Sequence, residues 1–330
     1  MTATGLRDQF CRRINYLRVS VTDRCNLRCS YCMPPEGVEP LGHCQILTYE
    51  EILRVVRIAV DLGITKVRLT GGEPLVRRGI GGLVAGIAAM RGVEDLSLTT
   101  NGTLLGPMAA ELKNSGLKRV NISLDTLKPV IFEKITNRPG LESVLAGITA
   151  AKTVGMSPIK INTVAIRGVN DGEILDFARF AQEMGIEVRF IEHMPSRREV
   201  WDDASLVSAE EILGTIGAKF PLEELDREVS HAGPGRIFSL PGGGRVGVIS
   251  PLSDHFCGSC NRLRLTADGR LRSCLFSNDE LDLKTRLRDG SDDTVVASLL
   301  NTAVRNKPER HGLEGEENGH SGMDMSRIGG

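Results

Sequence analysis

Short runs of aliphatic and β-branched residues alternate with longer amphipathic stretches along the first two hundred positions of the chain. The apolar runs predict buried strands, and stretches with apolar residues every three or four positions predict helices. The predicted strands cover residues 17–21, 66–69, 96–98, 119–124, 159–164 and 188–191. The predicted helices cover residues 49–62, 107–115, 141–154 and 173–184. A glycine follows each helix directly, in the position of a C-cap.

This alternation of elements indicates the fold class. Strands that are apolar throughout and alternate with helices are typical of a parallel sheet with right-handed helical crossovers. Six such units fall short of the eight in a complete barrel. The sequence therefore predicts an α/β fold in which residues 1–200 form a partial (β/α)6 TIM-type barrel.

After about residue 200 the alternation stops. One more helix is predicted near residues 208–216, followed by loop-rich sequence. The glycines at 242–244 predict one hairpin turn, and Asp268 with Gly269 predicts another. From Arg305 onward the chain is polar and rich in Gly, Glu and His, as in a mobile tail. We therefore predict a second region over residues 201–330.

The carboxyl ends of the predicted strands carry polar and glycine-rich segments. These segments are residues 70–74, 99–102, 123–125, 162–163 and 192–195. Gly, Asn and Pro that merely end a strand would explain any one of them. They explain the whole set poorly, and barrel enzymes place their chemistry at this rim. We expect a site there.

Three cysteines, spaced C-x3-C-x2-C, follow the first predicted strand. They are Cys25, Cys29 and Cys32. A structural zinc site or an electron-transfer cluster normally uses four protein ligands. A [4Fe–4S] cluster on three cysteines leaves one iron free to bind a small molecule. The number of cysteines, three and not four, favours such a cluster over zinc.

A second set of three cysteines lies near the other end of the chain. Cys257, Cys260 and Cys274 are spaced C-x2-C-x13-C. His255 could complete a Cys3His zinc site, so cluster and zinc remain about equal alternatives for this triad on spacing alone. Cys11 and Cys44 belong to no such pattern and are interpreted as ordinary thiols.

Composition narrows the class of protein. The 330 residues are 41% hydrophobic and 25% charged, which is ordinary for a globular enzyme. A net charge of −1 gives no global attraction to nucleic acid or membranes. The chain is long and poor in cysteine, and its first thirteen residues do not resemble a secretory signal, which disfavours a disulfide framework. Exposed clusters need a reducing compartment, so we expect a cytoplasmic protein.

Two arginines follow the second pair of cysteines. Arg262 and Arg264 lie two positions apart on a predicted strand, so their side chains share one face. Guanidinium groups beside a metal centre suit an anion such as phosphate. A solvated edge strand is an equal alternative on this evidence alone.

Four motifs together resemble a known family. They are TDRCNLRCSYCMP at 22–34, RLTGGEP at 68–74, CGSCNRLRL at 257–265 and MSRIGG at 325–330. The first two resemble the radical S-adenosylmethionine superfamily. The combination, which runs in order from about Tyr16 to Gly330, resembles the GTP 3′,8-cyclase family of molybdenum cofactor biosynthesis. The segment at 196–203 departs from the family pattern, being charged rather than glycine-rich.

The resemblance implies a lyase with two [4Fe–4S] clusters, one on each cysteine triad, and S-adenosylmethionine on the open iron of the first. It implies a 5′-deoxyadenosyl radical that removes the C3′ hydrogen of GTP. The C3′ radical then attacks guanine C8, and a further electron and proton give (8S)-3′,8-cyclo-7,8-dihydroguanosine 5′-triphosphate. A peptide-modifying maturase of the same superfamily, with an auxiliary cluster, remains the alternative.

The resemblance also assigns site residues and partners. The S-adenosylmethionine positions match Tyr31, Gly72, Ser123 and Met194. The GTP positions match Arg18, Arg68, Thr99, Lys160, Arg262, Leu263 and Arg264. The implied partners are a low-potential donor of the flavodoxin or ferredoxin type, the cyclic pyranopterin monophosphate synthase that receives the product, and a second copy of the chain. The tail at Gly329 and Gly330 is similar to one that reaches the active site in this family.

Overall fold

A computed structural model describes residues 5–194, 206–226, 233–277, 279–311 and 328. The Gly329–Gly330 tail and the charged segment at 196–203 lie outside these ranges, as does most of the polar stretch after 311. The strands, in chain order β1 to β12, are Tyr16–Ser20, Lys66–Thr70, Asp95–Thr100, Arg119–Ser123, Ile159–Ala165, Glu187–Glu192, Glu223–Leu225, Arg236–Ser239, Arg245–Ile249, Arg262–Leu265, Arg270–Arg272 and Leu281–Asp282.

The helices confirm the predicted set and add to it. In chain order α1 to α9 they are Tyr49–Asp61, Ile80–Ala88, Leu105–Asn114, Pro129–Thr136, Leu141–Thr153, Ile174–Met184, Ala209–Gly217, Lys284–Arg288 and Asp293–Arg305. Helix α1 begins at a capping box in which Thr48 and Glu51 bond each other's backbone N–H. Helices α2, α4, α8 and α9 were not predicted. Helix α2 contains Gly81, Gly82 and Gly86, whose weak helix propensity obscures the helical pattern in the sequence.

All twelve strands form one sheet in the order β12-β11-β10-β1-β2-β3-β4-β5-β6-β9-β8-β7. The six predicted strands, β1 to β6, run parallel in sequence order, which confirms the predicted barrel-type core. Strand β10 adds to β1 in parallel, and β9 adds to β6 in parallel. The predicted hairpins join β8 to β9 and β10 to β11.

The parallel pairing of β9 with β6 and of β10 with β1 was not predicted. Each begins or ends a short hairpin, and local sequence does not show which distant strand it joins. Chain from the predicted second region therefore extends both edges of the sheet formed by the first. The boundary placed near residue 200 stays a prediction.

The sheet has an apolar face and a polar face. Residues such as Leu17, Val19, Val120 and Ile122 are fully buried against the helices. Their neighbours in the strands point the other way. Cross-strand register places these polar neighbours in continuous rows, which we call the inner face. Its central members are Tyr16, Arg18, Arg68, Ser97, Thr99, Arg119, Asn121, Lys160, Asn162, Glu187, Arg189, Arg262 and Arg264.

No helix within the described ranges has both the length and the apolar character that crossing a membrane requires.

Candidate active site

The first cysteine triad lies on the loop that leaves the carboxyl end of β1. The loop folds back tightly, because the backbone N–H groups of Cys32 and Met33 both donate to the carbonyl of Cys29. All three cysteine side chains are partly buried. Burial raises the pKa of the Cys29 thiol well above its usual value, and the nearby Asp125, Cys32 and Cys25 raise it further. The three sulfurs therefore share one small region that suits a cluster.

Backbone hydrogen bonds from Gly72 and Glu73 hold the second motif against this loop. The N–H of Gly72 donates to the carbonyl of Thr22, and that of Glu73 donates to the carbonyl of Arg24, both at 2.8 Å. A Cβ on Gly72 would come within 2.4 Å of the Arg24 carbonyl oxygen. Only glycine permits this approach, which fixes the end of β2 beside the cysteines.

Glu73 is fully buried at the same place. Its carboxylate accepts hydrogen bonds from the Thr100 hydroxyl at 2.8 Å and from the backbone N–H groups of Asn101 and Leu75. Burial raises the pKa of Glu73 to about 7, and these donors oppose the rise. The carboxylate thus ties the ends of β2 and β3 together beneath the cysteine loop.

A cavity beside the first triad brings together two of the predicted S-adenosylmethionine residues. Cys29, Tyr31, Asn101 and Ser123 all line it. The Tyr31 hydroxyl donates to Asp125 at 2.7 Å, which fixes the ring. Burial raises the pKa of Asp125 to about 6.

The other two predicted cofactor residues lie at the carboxyl ends of two other strands. Gly72 follows β2, and Met194 follows β6. The Tyr31 ring packs edge-on against His193, next to Met194, with 6.3 Å between centroids. All four residues therefore belong to the carboxyl rim of the sheet.

The second triad lies at the opposite end of the sheet. Cys257 and Cys260 come just before β10, which runs parallel to β1, so they stand at the amino end. Cys274 follows β11, which runs antiparallel to β10, and so reaches the same end. Burial raises the pKa of the Cys257 thiol, and the charges of Cys274 and Cys260 raise it further. The three thiols therefore lie near one another.

Cationic side chains surround this second triad. The Arg12 guanidinium donates to the carbonyl of Cys257 at 2.8 Å. Lys307, which is 3% exposed, donates to the carbonyl of Arg262 at 3.0 Å. Burial alone would raise the pKa of the Cys260 thiol, but Lys307 and Arg262 lower it to about 7. The site therefore favours thiolate, the form that binds iron.

Neither triad is arranged for a single ion. Among the described residues, no three His, Cys, Asp or Glu side chains converge as closely as one metal ion requires. An iron–sulfur cluster needs no such convergence, because each cysteine binds a different iron. His255 packs against the ring of His311, with 5.7 Å between centroids.

The inner face between the two triads concentrates positive charge. Burial lowers the pKa of Arg18 well below its usual value and that of Arg264 and Arg68 to about 10, and neighbouring guanidinium groups add to the effect. So many buried cations beside so few carboxylates are unfavourable without an anion. This arrangement suits a triphosphate.

The predicted GTP residues fall into two groups. Arg18, Arg68, Thr99, Lys160, Arg262 and Arg264 occupy the inner face. Leu263 points the other way and is 1% exposed within the core, so a contact from this position would come from its backbone.

Several inner-face residues were missed at the sequence level. They are Arg119, Asn121, Glu187 and Arg189. Their signal was a polar residue at every second position of an otherwise apolar strand, as in Arg-Val-Asn-Ile-Ser of β4. The prediction of the site depended on polar residues at the ends of strands, where barrel enzymes place their chemistry, and not on polar residues within them.

Comparison with solved structures supports this fold. Streptococcus suis SuiB bound to S-adenosylmethionine superposes with a TM-score of 0.59 at 14% identity, covering 87% of this chain and 67% of that one. The enzyme anSMEcpe with bound AdoMet gives a TM-score of 0.58 at 15% identity, covering 85% and 81%. At these identities the likeness shows the fold alone.

Sequence comparison is more specific. Residues 19–181 match the Radical SAM superfamily, and residues 186–313 match Molybdenum Cofactor Synthesis C. The GTP 3′,8-cyclase of Geobacter sulfurreducens is 51% identical over 98% of this chain and 99% of its own length. That of Moorella thermoacetica is also 51% identical, over 98% and 100%. The chain belongs to the GTP 3′,8-cyclase family.

Proposed function

We propose that this protein converts GTP to (8S)-3′,8-cyclo-7,8-dihydroguanosine 5′-triphosphate, an early step of molybdenum cofactor biosynthesis. One observation carries the proposal: a cation-lined inner face spans the sheet between two cysteine triads at opposite ends. When bound, the first cluster and S-adenosylmethionine supply a 5′-deoxyadenosyl radical that removes the C3′ hydrogen of GTP. The protein's own residues bind, orient and enclose the two small molecules.

At the carboxyl end, Cys25, Cys29 and Cys32 hold the first [4Fe–4S] cluster. Tyr31, Gly72, Ser123 and Met194 bind S-adenosylmethionine. The clustering of Cys29, Tyr31 and Ser123 around one cavity supports this assignment. Gly72 brings its backbone to the rim without a side chain, and Met194 offers an adaptable apolar surface.

At the amino end, Cys257, Cys260 and Cys274 hold the second cluster, beside which the guanine base binds. The triphosphate is held by Arg18, Arg68, Lys160, Arg262 and Arg264, with Thr99 and the Leu263 backbone completing the predicted set. Guanidinium groups suit this task because each can donate two hydrogen bonds to a phosphate. The long axis of GTP therefore lies across the inner face.

The remaining partners follow from this chemistry. A low-potential donor of the flavodoxin or ferredoxin type supplies electrons, and the cyclic pyranopterin monophosphate synthase receives the product. We place the protein in the cytoplasm, because its clusters require a reducing compartment. We also propose that it forms a homodimer, as the family resemblance implies. Residues 1–200 and 201–330 form its two regions.

The test is anaerobic incubation with dithionite, S-adenosylmethionine and GTP, after metal and sulfide analysis. We expect about eight iron per chain, 5′-deoxyadenosine and a cyclised nucleotide. ATP in place of GTP, and omission of nucleotide, are the controls. Zinc without sulfide, or no cyclised nucleotide in the presence of GTP, would sink the proposal, and the second result would leave the peptide-modifying alternative.

A further inference from the structure

Asn121 is a buried amide at the centre of the inner face. It lies on β4 between Val120 and Ile122, and all three residues are fully buried. The two apolar neighbours pack in the core, so Asn121 points to the inner face. Its direct cross-strand partners are Thr99 on β3 and Lys160 on β5. Both partners belong to the predicted GTP set.

Neither side-chain polar atom of Asn121 has a hydrogen-bond partner among the described residues. The same holds for the Thr99 hydroxyl and for the side-chain oxygen of Asn162. Buried polar groups in native proteins are almost always hydrogen-bonded. Three such side chains on adjacent strands of one face point to a polar ligand between them.

The amide differs from its neighbours in what it can bind. A carboxamide offers two N–H donors and one acceptor oxygen. Phosphate oxygens accept only, and the surrounding arginines already supply donors for them. A sugar hydroxyl both donates and accepts, so it can satisfy both ends of the amide.

The position of Asn121 along the strand agrees with this choice. Ser123, predicted to touch S-adenosylmethionine, lies two residues further along the same face, which is about 7 Å in a strand. Arg119 lies two residues the other way. Asn121 thus lies between Ser123, on the side of the cofactor, and the cation of Arg119. The ribose that gives up its C3′ hydrogen must lie at this level of the inner face.

We propose that the Asn121 carboxamide hydrogen-bonds the ribose hydroxyl groups of GTP and holds C3′ toward S-adenosylmethionine. This inference rests on the proposed function. It makes Asn121 a substrate-binding and specificity-determining residue.

The test compares wild type with Asn121→Ala for GTP, 2′-deoxy-GTP and 3′-deoxy-GTP. Both proteins are reconstituted anaerobically with their clusters. For the variant we expect kcat/KM for GTP to fall roughly 10- to 100-fold, as for a lost buried hydrogen bond to substrate. Wild type should discriminate against at least one deoxy analogue, and the variant should lose most of that discrimination. Equilibrium dialysis with the same nucleotides gives a readout independent of turnover.

A matched control separates binding from damage to the fold. Thr163→Val removes a buried hydroxyl from the neighbouring strand β5. Thr163 lies on the opposite face of the sheet from Asn121, and its hydroxyl donates to the carbonyl of Leu124 at 2.8 Å. It should leave analogue discrimination unchanged even if it lowers thermal stability.

Three results would overturn the inference. One is an equal loss for GTP and both deoxy analogues. Another is lost discrimination between GTP and GDP instead, which would place Asn121 on the phosphates. The third is a raised KM for S-adenosylmethionine alone. If wild-type protein fails to convert GTP, the proposed function is wrong, and dialysis still decides whether Asn121 reads the sugar.

Discussion

The ammonium of Lys160 lies 3.3 Å from a carboxylate oxygen of Glu187, and both side chains are about 2% exposed. Glu187 also accepts a hydrogen bond from Arg189. One carboxylate therefore neutralises part of the charge of two buried cations on the inner face. Burial, with Arg189, lowers the pKa of Lys160 to about 7, whereas the two cations keep the pKa of Glu187 below its usual value despite burial.

This pair predicts a pH dependence of substrate capture. Below about pH 7 Lys160 is protonated and attracts the triphosphate, and above it the amine becomes neutral. We expect kcat/KM for GTP to fall as pH rises from 6.5 to 8.5. GTP itself gains negative charge near pH 6 to 7, so Lys160→Arg serves as the control, because arginine stays charged throughout. A variant profile that falls as steeply as the wild-type one would contradict the role of Lys160.

Removing the shared carboxylate should destabilise the protein. Glu187→Gln leaves Lys160 and Arg189 as buried cations without their counter-charge, and breaking a buried pair typically costs about 3–5 kcal/mol. We expect that loss in the free energy of unfolding, measured anaerobically by urea titration.

The matched control for this change is Glu224→Gln. Glu224 pairs with Arg236 at 2.8 Å, but both side chains are nearly half exposed. An exposed pair contributes at most about 1 kcal/mol. Equal losses for the two variants would show that Glu187 is not the counter-charge we describe. Bound GTP should narrow the difference in stability from wild type for Glu187→Gln and leave that difference unchanged for Glu224→Gln.

The opposite placement of the triads predicts that the two clusters assemble independently. Replacing Cys25, Cys29 and Cys32 by alanine should remove about four of eight iron and abolish 5′-deoxyadenosine formation. Replacing Cys257, Cys260 and Cys274 should remove the other four. Iron and sulfide analysis with electron paramagnetic resonance checks both. Loss of all iron from either variant would contradict independent sites.

The family resemblance predicts a role for the terminal glycines. Deleting Gly329 and Gly330 should suppress turnover while leaving iron content unchanged. Ile328, directly before them, is buried at 2% exposure. The deletion leaves Ile328 in place, so it removes no described core residue. The measurement is product formation alongside metal analysis. Normal turnover by the truncated chain would rule the role out.

Much of the core fold could be predicted from local sequence. The six parallel strands were recognisable because each is a short apolar run, and four helices because their apolar residues repeat with helical period. Helix α2 escaped because its glycines weaken that signal. The pairing of β9 and β10 with β6 and β1 escaped for another reason, since it depends on contacts between residues far apart in the chain.

The chain by itself determined the chemistry of this protein: three cysteines in each triad, the glycines that let β2 approach the first triad, and the family that these motifs mark. Spacing along the chain carries such information because ligands on one loop are local. Only the tertiary structure decided that the triads stand at opposite ends of one sheet. Likewise, strand pairing alone places Asn121 between Thr99 and Lys160 and gives Lys160 its partner Glu187. Those relations depend on register between strands, which no single segment encodes.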